Sequence, residues 1–217
     1  MLARYHRQIL NTVLGNEVNP QAFRVILDAN LGQDGLRGQL GHPEFHYDEC
    51  AFFAGNRFVE SQRQIIMETL NNRMVSSASF NPAPAWRAFG RLTHAVQDFY
   101  AHSNYVQLWL DQRKPNQDGA IPEGIEPLVP QLMSNPDLRS GRTYYPLEFL
   151  TFIPFLAPMV TSWLPHDAHA WMNLDSPARG PLFAFALAAA QKRTSFEYQT
   201  ICTGLSPKSL QCFKGIS

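Results

Sequence analysis

Between residues 85 and 111 runs a helix-like stretch flanked by apolar Leu92, Val96 and Phe99, and it carries His94, Asp98 and His102 at four-residue spacing. Positions four apart share one helix face, so the two histidines stand about 12 Å apart along the axis with the carboxylate between them. Uncompensated charge on a buried helix is costly, and a bound cation gives these residues a reason to be there. One ion cannot easily take all three. Two ions bridged by Asp98, each held at one end by a histidine, satisfy the spacing, and paired ions of that kind suit phosphoester hydrolysis.

The rest of the chain reads as helical, with no sustained alternation of a strand. Helices are expected over 3–14, stopped by Gly15, from Pro20 through Leu27, over 52–75, and over 85–111 after the Asn81–Pro84 break. A last helix, capped by Asp175 or Ser176 with Pro177 in its first turn, continues through Phe183, Leu187, Ala190 and Thr194. Residues 30–49, with Gly32, Gly35, Gly38, Gly41 and Pro43, read as loop, and 113–142 as surface connection. The 217 residues form one domain, all-α, with no low-complexity linker.

Charge excludes strong electrostatic partners: 18 Lys plus Arg balance 18 Asp plus Glu, so no overall field draws nucleic acid or an anionic membrane. The opening MLARYHRQIL lacks the apolar core of a secretory signal, which leads to a cytoplasmic expectation, with export by another route open. Cys50, Cys202 and Cys212 are too scattered for a thiolate zinc site, and a Cys202–Cys212 bridge stays open. The apolar run Leu147–Leu164 approaches spanning length, but Glu148, Pro154 and Pro158 argue against a span. It is either a broken core helix or a lip making peripheral membrane contact.

Further histidine clusters supply candidate ligands. In Gly41–Asp48, an extended backbone would turn His42, Glu44, His46 and Asp48 to one side. His6 lies on the first helix, and His166, Asp167, His169 and Asp175 gather near a late helix start. Imidazole and carboxylate donors without thiolate suit zinc, iron or manganese, and the high histidine share favours zinc.

The string Gly90-Arg-Leu-Thr-His-Ala-Val-Gln-Asp-Phe-Tyr-Ala-His-Ser-Asn-Tyr-Val106 resembles the signature of the heterokaryon incompatibility (Het-C) proteins, a branch similar to the zinc-dependent phospholipase C and single-strand nuclease superfamily. Tyr5-His6-x-x-Ile9, Phe45-His-Tyr-Asp48 and His169-x-x-Met-Asn-Leu-Asp175-Ser-Pro177 extend the resemblance, leaving the tail after about 200 unmatched. It implies His6, His46, Asp48, His94, Asp98, His102, His169 and Asp175 as ligands of two or three zinc ions. Asp98 bridges, Asp48 is the candidate base, and Asn104 lies near the substrate phosphate.

The expected enzyme is a zinc-dependent phosphodiesterase of phospholipase C type acting through metal-activated water, with phospholipid preferred over nucleic acid. Three alternatives remain: a single-strand nuclease, a non-enzymatic membrane or interaction factor with a structural metal site, and an HD-type phosphohydrolase centred on His166-Asp167.

Overall fold

The computed structural model describes residues 1–35, 41–71, 80–113, 119–153 and 155–216. The helices are α1 (Ala3–Leu14), α2 (Pro20–Leu31), α3 (Phe52–Leu70), α4 (Ala83–His102), α5 (Tyr105–Asp111), α6 (Pro130–Met133), α7 (Ala157–Trp163), α8 (His169–Met172), α9 (Leu182–Gly204) and α10 (Pro207–Lys214). Among the described residues, extended pairing is confined to two isolated bridges, Ser103 with Ser140 and Arg142 with Ala168. The all-α expectation therefore holds.

Local chemistry sets several boundaries. Asn19 accepts a hydrogen bond from the Ala22 amide at 2.7 Å, and Pro20 fills the first turn of α2. Ser206 and Pro207 open α10 in the same way, and Gly215, at φ 70°, closes it in the left-handed conformation. The expected helix over 85–111 divides at Ser103 and Asn104, where Ser103 turns extended and bridges to Ser140. The last long helix starts at Leu182 and not near Ser176, because Gly180 at φ 105° interrupts the chain after a 3-10 turn at Pro177–Arg179. The expected helical residues 72–75, together with Gly38, Pro154 and the side chains of Phe149 and Phe152, lie outside what is described.

Helix α4 is the axis of the molecule. It packs against α2, α3 and α9, and nearly all of its residues from Ala85 onward are buried. Phe99 meets Tyr47, Tyr100 and Tyr105 edge-on at 4.9–5.5 Å. At the crossing with α2, a β-carbon on Gly90 would stand 2.2 Å from the Ile26 carbonyl, so only glycine allows this approach. The close crossing brings the turn after α2 over His94.

The run 147–164 is not a continuous helix and is core only in part, Val160 and Leu164 packing with Ala168 and Ala170 in a small cluster. It splits into a 3-10 turn at Leu147–Phe152 and the short α7, with Phe155 81% and Trp163 64% exposed. Glu148 is 3% exposed and accepts hydrogen bonds from the Tyr144 and Ala170 amides, fastening this segment to the start of α8. No described helix is long and apolar enough to cross a membrane. Cys202 carries a free thiol, so it is not bridged to Cys212.

Candidate metal centre

Two groups of donor atoms converge along α4. In the first, one atom each of Asp34, His46, His94 and Asp98 lies within 4.8 Å of the others; in the second, Asp48, His102 and His169 do the same. The first group is deeper: His94 and Asp98 have no exposed surface and His46 only 5%, while the Asp34 side chain, 31% exposed, forms its outer edge. The second opens to solvent, with side-chain exposure of 15% at Asp48 and 23% at His169. A cleft of about 490 Å³ reaches both groups, lined by Asp34, His46, Asp48, His102, His169 and Asp175, with Thr143, Tyr145, Glu148 and Arg179 among the wall residues.

Asp98 reaches the second group through the Met1 amine, which also stands 3.2 Å from His102 Nε2. Asp98 Oδ2 lies 2.8 Å from His46 Nδ1 and 3.0 Å from His94 Nε2, and its Oδ1 lies 2.6 Å from the Met1 amine and 3.2 Å from His6 Nε2. His102 turns Nδ1 to Asp48 Oδ1 and Nε2 to Asp175 Oδ1, each at 3.2 Å, and His169 Nδ1 reaches the same Asp48 oxygen at 3.0 Å. The Met1 amine also meets Asp175 at 2.9 Å, so a cationic group sits between the two carboxylates.

These distances fit shared cations. Four donors at about 2.0–2.1 Å around a tetrahedral zinc stand about 3.3 Å from one another. In the first group, His94 Nε2 is 3.0 Å from Asp98, 3.1 Å from His46 Nδ1 and 3.6 Å from Asp34 Oδ1. His6 Nε2 and His102 Nδ1 are buried 3.2 Å from carboxylate oxygens yet make no hydrogen bond. Buried polar atoms left in this way are rare unless something else is to satisfy them.

The electrostatics follow from burial and clustering. Burial alone would raise Asp98, but the Met1 amine and the rings of His94, His102 and His6 outweigh it and hold the carboxyl far below its ordinary range. Asp48 is lowered against burial by His169 and His102, and Asp175 by the Met1 amine and His102. Burial opposes charge on His102 and His46 as well, yet Asp98 and its neighbours raise both above the usual histidine value. His94 goes the other way: burial prevails over Asp98 and pushes it down to about 4.

All eight ligand candidates from the sequence thus fall in these two adjoining groups or in direct contact with them. Asp34 joins them unforeseen. Three other sequence readings change. His42 and Glu44 face away and pair with each other at 3.0 Å, because Pro43 starts a 3-10 turn that breaks the extended alternation. Asn104 does not line the cleft; its amide donates to the Asp137 carbonyl at 2.9 Å and accepts from the Arg139 amide at 2.8 Å, bracing a loop. His166 is exposed against Trp171, and Asp167 accepts from the Tyr144 hydroxyl, so an HD-type centre there is excluded.

The turn carrying Asp48 is unusual. Tyr47, Glu49 and Cys50 all have φ between 55° and 58°, a region that non-glycine residues seldom adopt. Tyr47 lies flat over Gly55, where any β-carbon would come within 2.6 Å of the ring, and Glu49 and Cys50 are tied to Gly141 and Ser140. A β-carbon on Gly141 would stand 2.5 Å from His169 Cα, so this contact seats His169 beside Asp48.

Residues 6–124 match the family described as the VWA7 N-terminal domain. Von Willebrand factor A domain-containing protein 7 of rat is 29% identical over 112 residues, and that of mouse 31% identical over 112; each match covers 50% of this chain and 12% of the relative. The human protein is 31% identical over 88 residues, 41% of this chain and 9% of its own length. The matched region is therefore a small part of each relative. No solved structure matches. These matches overturn the resemblance to the Het-C, phospholipase C and nuclease superfamily, and the phospholipase, nuclease and incompatibility-factor readings fall with it. A short His-x-x-x-Asp-x-x-x-His pattern reports how a buried helix presents ligands, which different families can share. The chain belongs to the VWA7 N-terminal domain family.

Proposed function

We propose that this domain binds two zinc ions, one held with Asp98 and one beside it, and that the half of the centre around Asp48 supports metal-assisted hydrolysis in the cleft. The observation that supports this most is donor spacing: 2.8–3.6 Å among Asp34, His46, His94 and Asp98, close to the edge of a zinc tetrahedron. Asp34, His46 and His94 would hold one ion with Asp98. His102 and His169 would hold the other with Asp48 or Asp175. A third position lies beside Asp98 Oδ1, His6 Nε2 and Asp175, where the Met1 amine stands. Thiolates are missing from this donor set, and imidazole with carboxylate suits zinc.

The first group offers four donors and the second three, which accords with the usual difference between structural and catalytic zinc, whose catalytic form keeps a free position. When bound, the ions would supply Lewis acidity and acidify a coordinated water. The chain supplies the rest. Asp48 stays ionised under its histidine neighbours and lines the cleft, so it can orient a water there by accepting its hydrogen bond. Arg179 is braced by the Asn173 and Trp171 carbonyls at the cleft wall and offers a fixed positive charge to an anionic group.

Elemental analysis of the purified domain after zinc loading and dialysis tests the reading. Two ions per chain are expected, with hydrolytic turnover in an ester and amide panel abolished by chelator and restored by zinc. A native far-ultraviolet spectrum with no retained zinc would overturn it.

A further inference from the structure

Behind His6 lies a polar network that the candidate centre does not use. Asn30, Thr93, Gln97 and Thr194 are all fully buried, drawn from α2, α4 and α9. Each hydroxyl is committed by a backbone carbonyl: Thr93 donates to Gly90 at 2.9 Å, and Thr194 to Ala190 at 2.8 Å. A hydroxyl has one proton, so both threonine oxygens can only accept from their remaining neighbours.

That constraint runs through the network in one direction. Thr194 Oγ1, 3.0 Å from Gln97, requires the amide nitrogen on that side. Thr93 Oγ1, 3.1 Å from Asn30, likewise requires the Asn30 nitrogen, which also points at Gln97 from 3.3 Å. Both ends therefore put the Gln97 carbonyl oxygen toward His6 Nδ1, at 2.6 Å. An acceptor at that distance demands a proton on Nδ1.

We propose that Gln97 is a positioning residue, which fixes the His6 proton on Nδ1 and presents Nε2 as a bare lone pair beside Asp98. In the neutral ring a proton on Nδ1 leaves Nε2 free, and Nε2 is the atom found 3.2 Å from Asp98 Oδ1 without a hydrogen bond. Without Gln97, the strongest acceptor near His6 is the Asp98 carboxylate. The proton would move to Nε2 and close that nitrogen to an ion. Ligand histidines commonly owe their tautomer to such an outer partner, whose loss weakens metal binding about 10–100-fold. The role assigned to Nε2 rests on the zinc reading above; the tautomer does not.

Nitrogen-15 correlation spectra of the histidine rings test this, together with zinc affinity, for the wild type, Gln97→Met and Gln97→Glu. The metal-free wild type is expected to show His6 protonated on Nδ1. Gln97→Met keeps the side-chain length but loses the carbonyl, so the proton should move to Nε2 and zinc affinity fall about 10–100-fold. Gln97→Glu restores an acceptor, and with it the tautomer and most of the affinity. A wild-type His6 protonated on Nε2 would overturn the proposal with no variant needed, as would a Met variant with unchanged tautomer and affinity. A wild type protonated on Nδ1 that takes up no zinc would overturn the zinc reading and support the orienting role of Gln97.

Discussion

The two halves of the centre are fed by the same helix but built by different means. The deeper half takes His94 and Asp98 from the middle of α4, and Asp34 from a turn held over them by the α2 crossing at Gly90. Long helices packed on one another fix His94 and Asp98 whether or not a cation is present, while the fourth donor, His46, comes from the turn that also carries Asp48. The open half takes Asp48 from a turn with three positive-φ residues, and His169 from a four-residue helix seated on Gly141. Its precision depends on a few contacts. The comparison teaches that one centre can combine a rigid floor with an adjustable rim, and that the same kind of substitution should have different consequences in each.

The largest effect should follow from the residue that holds one half and reaches the other through the Met1 amine. Asp98→Asn removes the compensating charge from a fully buried cluster, so the metal-free domain should lose about 3–5 kcal/mol. Bound zinc should drop from two ions to one. A chemical-denaturation curve and elemental analysis read both, and retention of two ions would break the idea that this carboxylate holds an ion.

Gly141→Ala should separate the halves. The added methyl must displace His169, at a cost of about 1–3 kcal/mol for the overpacking, while Asp34, His94 and Asp98 of the other half lie on other elements. One zinc ion should remain of two. Loss of both, at a retained fold, would mean that the rim also holds the floor. His169→Ala sharpens the same division at about 1 kcal/mol, since the ring is partly exposed: one ion lost, the melting temperature little changed.

The smallest effect is in pH. Asp98 and its neighbours raise His46 and His102 above their ordinary value, so the folded metal-free domain keeps protons that the unfolded chain releases near 6.5. The stability they contribute is complete below that pH and is lost as pH rises through their folded values. His94, lowered to about 4 by burial, is neutral in both states above 6.5 and adds no slope there. Zinc requires the bare nitrogens, so its affinity should climb over the same interval, with protons released on binding. Calorimetry in buffers of different ionisation enthalpy reads the protons; none released would contradict the charged state of both rings.

The contrast between floor and rim also explains what could be read in advance. His94, Asp98 and His102 were legible because a helix repeats its faces at a fixed period, and that period survives folding. His42 and Glu44 were misjudged because the alternation assumed an extended backbone, whereas Pro43 starts a tight turn. Asp34 carries no signal of its own. It is one carboxylate in a glycine-rich stretch, and its place beside His94 depends on the angle at which α2 crosses α4. Asn104 follows the pattern of the signature but sits where α4 has ended, and the loop at 137–139 takes its amide. The family assignment was not legible from the signature, since ligand spacing reports helix geometry and not descent.

The most direct test is a crystal structure of the zinc-loaded domain with anomalous data at the zinc edge. Two peaks are expected, one among Asp34, His46, His94 and Asp98 and one touching His102 and His169. Zinc bound elsewhere, or the eight side chains unchanged around no peak, would contradict it.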